Sequence, residues 1–296
     1  MPTLDAAQLA ERARAAHERL RACDLCPRGC GVDRTNGEVG FCRVGARAIV
    51  ASYGPHFGEE RPLVGRHGSG TVFFSGCNLA CEFCQNEDIS HGLAGGEVTG
   101  DELAAIFLTI QRNGCHNLNL VTPTHVVPQW LDALALARAH GFDLPVVYNT
   151  GGYDRVDTLQ LLAGVVDIYM PDYKFTDEAV AERLAHAPDY PTFVQAALCE
   201  MHRQTGDLET DATGVAQRGL LVRHLVMPHD LAGSREAMRF LAREISAFTY
   251  VNIMGQYHPC YHANLHDDLR RRPTVDEMQA AYDAAREFGL TRLDKR

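Results

Sequence analysis

The sequence predicts an α/β architecture: a partial (β/α)6 barrel open on one side, with a small N-terminal Cys-rich metal-binding region and a C-terminal helix. Three observations predict it. From residue 70 onward, apolar strand-like runs at 70–75, 117–121, 145–149, 166–171, 220–226 and 250–254 alternate with helical patterns, the signature of a parallel sheet with right-handed crossovers. Six units fall short of an eight-stranded barrel, which leaves an incomplete barrel, with a flat doubly wound sheet as the alternative. Polar residues then collect just past the carboxyl ends of the runs, where sheets of either kind gather ligands.

Each element follows in order. Residues 4–21 read as an alanine-rich amphipathic helix with Leu4, Leu9, Ala13, Ala16 and Leu20 near one face. A cysteine-rich stretch runs from Cys23 to Cys42, and the Gly- and Pro-rich residues 43–69 read as a linker wrapped on the domain. Helices are expected at 100–112, 128–140, 155–163, 177–204 (broken near Pro188 and Pro191) and 234–246. Thr99-Gly-Asp-Glu102 and Thr274-Val-Asp-Glu277 are capping boxes, the second opening a final helix that stops at Gly289. The chain accordingly divides into 1–66 (N-terminal helix and four-cysteine metal-binding region), 67–260 (partial barrel) and 261–296 (C-terminal helical extension).

Composition narrows the function. The 296 residues carry a formal net charge of −10 and show no Lys/Arg stripe interleaved with aromatics, which argues against a nucleic-acid surface. The longest apolar runs fall short of a membrane span. The first residues, Met1-Pro-Thr-Leu-Asp-Ala-Ala, do not form a secretory signal, so ten cysteines suggest a reducing, cytoplasmic setting where clustered thiols bind metals.

The most specific signal is Cys77-x3-Cys81-x2-Cys84, directly after the first strand. One loop at this spacing can close three thiolates on a cubane iron–sulfur cluster, and a four-iron cluster normally takes four cysteines. Three leave one iron open to a ligand that is not protein. Zinc with a fourth ligand from elsewhere is the competing reading. Cys23-x2-Cys26-x3-Cys30-x11-Cys42 is the second signal: four thiolates suit tetrahedral zinc or a second iron–sulfur centre, with a structural or an electron-relaying role. Of the remaining cysteines, Cys115 and Cys199 are expected to be buried, and Cys260 follows the sixth strand near the strand-end site.

The spacing, with aromatic Phe83 before the last cysteine, resembles the radical S-adenosylmethionine (radical SAM) superfamily. It is most similar to the PflX-like branch related to pyruvate formate-lyase activating enzyme. Cys26-Pro-Arg-Gly-Cys30, Cys84-Gln-Asn86, Val121-Thr-Pro-Thr-His125, Tyr148-Asn-Thr-Gly-Gly152, Asp167-Ile-Tyr-Met-Pro-Asp172-Tyr-Lys174, Arg223-His224 and Gln256-Tyr257 carry the likeness. The resemblance implies a [4Fe-4S] cluster on Cys77, Cys81 and Cys84, and S-adenosylmethionine on the open iron. It further implies an oxidoreductase that cleaves this cofactor reductively to abstract hydrogen, as in glycyl-radical enzyme activation. A reductant such as flavodoxin or ferredoxin and a protein or peptide substrate would be its partners. Another peptide, a small metabolite, or a non-catalytic electron-transfer protein whose cluster is completed by Cys115 or Cys260 are the alternatives.

The superfamily's Gly-Gly-Glu amino-group contact follows its second strand, where this chain has Thr122-Pro-Thr-His125. Gly95-Gly96-Glu97 precedes the first barrel helix and reads as a loop leading into Thr99. Thr122, Thr124 and His125 can accept a hydrogen bond from an ammonium group. Asp172 and Lys174 match a strand-four Asp-x-Lys pair whose Lys lies near the cofactor in the activating enzymes. Asn149 and Thr150 match their strand-three Thr-Asn-Gly region, a candidate ribose or carboxylate contact. An inward Arg223 would suit a carboxylate, and His258 follows the sixth strand. Phe83 completes the expected cofactor-binding set. His258, His262 and His266 recur every fourth residue, but Pro259 makes a polar loop the better reading than a helical metal face.

Overall fold

The computed structural model describes Leu4 and residues 6–294. Its strands are β1 (Ala48–His56), β2 (Ser69–Phe74), β3 (Gly96–Val98), β4 (Leu118–Val121), β5 (Val146–Thr150), β6 (Ile168–Pro171), β7 (Glu209–Thr210), β8 (Ala216–Leu225) and β9 (Tyr250–Met254). They form one sheet in the order β3-β1-β2-β4-β5-β6-β8-β7, with β9 paired to β8. The pairs from β2 through β4, β5, β6 and β8 to β9 are all parallel. These are the six expected strands. They follow one another in chain order, without the reversal of a doubly wound sheet, their carboxyl ends line one cavity, and among the described residues the path of pairs does not close, which makes a partial barrel.

Local chemistry sets the helix ends. Both capping boxes form: Thr99 accepts from Glu102 N while the Glu102 carboxylate accepts from Thr99 N, and Thr274 and Glu277 repeat the exchange. The helices begin at the next residues, Gly100–Arg112 and Val275–Glu287. The long helical pattern at 177–204 splits into Glu178–Ala185 and Tyr190–Thr205. His186 ends the first in the left-handed conformation (φ 52°), and Pro191 sits in the first turn of the second. The N-terminal helix Ala6–Glu18 buries Leu9, Ala13 and Ala16 and packs against helix Val127–Ala139, which covers the outer face of the sheet.

The stretch 43–69 is not a linker. It contributes β1, antiparallel to β2 in register Val50↔Phe74 to His56↔Ser69, and a short helix, Arg61–Val64. Gly96–Val98, read as a loop, pairs antiparallel with β1. A three-residue strand bearing two glycines around its start has too little alternation to stand out in sequence. Cys199 is exposed on helix Tyr190–Thr205 rather than buried, while Cys115 is buried.

Strand alternation separates two cores. Leu118, Leu120, Tyr148, Tyr169, Leu220 and Val222 face the helices and join the main core. Val147, Ile168, Met170 and Leu221 point into the lumen, where Leu63 of the short helix plugs the amino end of the barrel. The next inward positions toward the carboxyl ends, Asn149 after Val147 and Arg223 after Leu221, begin the polar part of the lumen.

Candidate functional site

A cavity of about 370 Å³ occupies the carboxyl end of the lumen. Every parallel strand or the loop after it contributes: Phe73 with Cys77, Cys81 and Cys84; Val121 and Thr122; Asn149 and Thr150; Asp172 and Lys174; Arg223; Asn252 and Met254. The three cysteines of the loop share this wall. Leu79 N donates to Cys77 Sγ at 3.3 Å, and Cys84 Sγ lies 3.0 Å from Ser90 Oγ. Burial pushes the Cys77 thiol up to about 11 and the Cys81 thiol up to about 12. Among the described residues no three His, Cys, Asp or Glu side chains stand where they could hold a metal ion. The donor set fits a cubane all the same, because its cysteines bind separate irons and need not converge on one point.

Lys174 Nζ bonds Asp172 Oδ2 at 2.6 Å, both mostly buried. Burial disfavours the ammonium, but the charge and hydrogen bond of Asp172 more than offset this and hold the Lys174 pKa above its ordinary value. Thr122 sits at φ 57°, its N–H donating to Asn149 O. Arg223 does point inward, but its guanidinium is taken. Nε bonds Glu60 Oε1 at 2.6 Å, Nη2 bonds Glu60 Oε2 at 2.7 Å and Glu59 Oε2 at 2.6 Å, and Nη1 bonds Asn149 Oδ1 at 3.2 Å. The carboxylate expected from a ligand is supplied by the chain itself.

Other expected residues stand off the cavity. Thr124 is buried behind it with Tyr148, and their hydroxyls, with that of Thr150 at the cavity's edge, are all directed at Asp154. Burial raises the Asp154 pKa in spite of these donors. His125 is buried and lies 2.9 Å from Ser75 O through Nε2, bracing the strand end just before the cysteine loop. Burial lowers its pKa to about 4, so it is neutral. Phe83 packs edge-on against Phe175 and Tyr257. His258 is exposed, its Nδ1 3.4 Å from Gln85 Nε2. His262 and His266 flank Glu82 on the outer side of the loop, with His186 on its other oxygen.

The N-terminal cysteines form a knuckle docked on that loop. Cys23, Cys26 and Cys42 are buried and Cys30 half-buried. A Cβ on Gly40 would meet Cys30 Sγ at 2.7 Å, so only glycine fits there. Burial pushes the Cys26 thiol up to about 12, and Cys42, Cys23 and Cys30 all act on it. Phe41 N donates to Cys30 Sγ at 3.4 Å. Arg28 stacks over Phe41 and donates to Asn78 O at 2.9 Å, inside the cysteine loop. Buried Arg34 spans Gly45 O, His125 O and, at 3.8 Å, Cys23 Sγ.

Sequence reasoning missed His56, Glu59, Glu60, Asn252, Asp154 and Arg34. Adjacent carboxylates before Pro62 were the only local hint of the Glu pair, and their partner is 163 residues away.

No protein-family model matches the chain. A radical SAM methyltransferase from Sphaerobacter thermophilus has the same fold, with a TM-score of 0.53 at 16% identity over 77% of this chain and 66% of that one, just under two thirds of its length. Streptococcus suis SuiB bound to S-adenosylmethionine aligns over 74% of this chain and 47% of its own, at 11% identity and a TM-score of 0.49, too weak a likeness to argue from. In sequence, the Methanocaldococcus jannaschii protein named "Uncharacterized protein MJ0674" is 33% identical over 281 residues, 92% of this chain and 76% of its own. At that identity and coverage, the chain belongs to the same family as MJ0674.

Proposed function

We propose that this chain is a radical SAM enzyme. The observation that carries the reading is the row of three cysteines, Cys77, Cys81 and Cys84, on one wall of the strand-end cavity. The other candidate ligands lie elsewhere: Cys115 is buried against Gly70 at the amino end of β2, and Cys260 Sγ donates to Phe83 O. Among the described residues no fourth cysteine lines the cavity, which favours an open iron over a closed electron-transfer cluster.

When bound, a [4Fe-4S] cluster with S-adenosylmethionine on its open iron supplies a 5′-deoxyadenosyl radical for hydrogen abstraction. The chain's part is to hold and orient. Cys77, Cys81 and Cys84 would ligate three irons. Thr122 and Asn149 offer hydrogen bonds at the carboxyl ends of β4 and β5, while the Thr150 hydroxyl is held by Asp154. Lys174, kept protonated by Asp172, offers a cation for a carboxylate. The Leu63 plug excludes water from below. The knuckle's four thiols would take zinc or a second cluster.

The likeness to activating enzymes names a glycine Cα–H of a glycyl-radical partner as one candidate donor, with flavodoxin or ferredoxin as reductant. A small metabolite is the second reading, favoured by the polar lumen sealed below by Leu63. Anaerobic reconstitution tests the class. S-adenosylmethionine should alter the EPR signal of the reduced cluster, and Cys81→Ala should lose both signal and 5′-deoxyadenosine formation. An unchanged signal, or zinc as the only bound metal, refutes it.

A further inference from the structure

The cavity has a second pole. Away from the cysteines, Glu59 and Glu60 enter the lumen just before the Leu63 plug. They are 6% and 2% exposed. One guanidinium, Arg223, serves both. A structural ion pair needs one carboxylate, and a second one in a low-dielectric lumen is costly unless something neutralises it. Across the whole cavity the carboxylates of Glu59, Glu60 and Asp172 face two permanent cations, Arg223 and Lys174, with the His56 ring beside Glu59 as the one further basic group among the described lining residues.

The hydrogen-bond inventory has the same sign. Both Glu60 oxygens are bonded, Oε1 by Arg223 Nε and Asn252 Nδ2 and Oε2 by Arg223 Nη2. Glu59 is less used. Its Oε2 takes one bond from Arg223, and its Oε1 takes one from His56 Nδ1 at 2.9 Å. Each Glu59 oxygen keeps a further lone pair. His56 lines the same cavity, is half-exposed, and stands edge-on to Phe73 (5.8 Å between ring centroids, 83°). The floor therefore offers spare acceptors and surplus negative charge beside an aromatic wall.

We propose that the Glu59–Glu60 floor is a substrate subsite for a small molecule bearing an ammonium or amidinium group. The inference rests on the radical SAM reading and deepens it by naming the substrate class. The cationic head donates to the free lone pairs of Glu59 and replaces the missing counter-charge, while the rest of the molecule extends toward the cysteine wall. A glycyl-radical loop brings no obligatory cation and has no use for this floor.

The test is calorimetric titration of the anaerobically loaded protein, with S-adenosylmethionine present, using n-butylamine, n-butylguanidine, n-butanol and butanoate as probes. The two cations should bind at least about tenfold tighter than butanol, and butanoate should not bind, as expected for charge-assisted hydrogen bonding. Glu59→Gln should erase the preference for cations, and Glu59→Asp should retain it. Equal affinities for amine and alcohol in the wild-type protein overturn the proposal, even if Glu59→Gln fails to fold. A preference that survives in folded Glu59→Gln overturns it too. A protein that binds the amines but never S-adenosylmethionine would instead refute the radical SAM reading, so the two failures are distinguishable.

Discussion

Arg223 and Glu60 meet in a two-point fork, Nε to Oε1 at 2.6 Å and Nη2 to Oε2 at 2.7 Å, inside the barrel. Burial alone would push the Glu60 carboxyl up, but the Arg223 charge and hydrogen bonds outweigh it and leave the pKa below the ordinary 4.5. The pair's stabilisation is therefore complete above pH 4.5 and is lost as the pH falls below it, through the folded-state pKa. Arg223→Met would strand two buried carboxylates, at a cost of about 3–5 kcal/mol near neutral pH. Urea unfolding across pH should find that penalty shrinking toward pH 5, as the stranded carboxyls take up protons. A penalty independent of pH would show that lost packing, not charge, is responsible.

His125 makes the complementary acid prediction. It is buried and neutral, with its pKa lowered from 6.5 to about 4. Unfolded chains bind its proton below pH 6.5 and the folded chain does not, so stability falls between pH 6.5 and about pH 4. The loss is about 3 kcal/mol at most. Replacing His125 with Gln should flatten the pH dependence of unfolding free energy in that window. An unchanged slope would mean that His125 is not held neutral.

Gly152 controls the approach of two strand ends. It adopts φ 80°, and a Cβ there would meet Asp172 O at 2.3 Å and Val194 Cγ2 at 2.9 Å. Gly152→Ala must therefore strain the backbone and displace the carbonyl of the residue that pairs with Lys174. We expect a loss of about 2–4 kcal/mol in unfolding free energy. Gly141→Ala, also at positive φ (85°) but with nothing within 4 Å, should cost less. Equal losses would leave φ alone as the cause.

These residues divide between what a linear reading can and cannot recover. The six parallel strands, both capping boxes and the break at Pro188–Pro191 are local patterns of period, cap and breaker, and each was legible. So was the cysteine loop, whose three thiols lie within eight positions of one another. β1 was hidden because Gly54 and Pro55 mimic loop composition in its second half, which pairs with β2 alone beyond the reach of β3. The polar floor was hidden for a different reason. Glu59 and Glu60 acquire meaning only from Arg223 and Asn252, on strands folded more than 160 residues later. Thr124 and His125 were recognised as unusual but misplaced, since sequence does not say which strand-end polar groups turn toward the lumen and which satisfy Asp154 or Ser75 behind it.

Arg34 couples the cysteine knuckle to the barrel, and its removal separates a structural role from a merely electrostatic one. It is 1% exposed and donates to Gly45 O through Nε at 3.1 Å and Nη2 at 2.8 Å, and to His125 O through Nη1 at 2.8 Å. The same Nη1 lies 3.8 Å from Cys23 Sγ. Arg34→Met leaves buried carbonyls unpaired and should cost about 2–4 kcal/mol. Arg34→Lys keeps the charge but cannot fork between two segments, so it should recover less than half of that loss. If Lys restores full stability, charge beside the thiols matters more than the bridge between Gly45 and His125. Amide exchange at Ala46 and Val126 would report the bridge directly, with faster exchange expected in both variants.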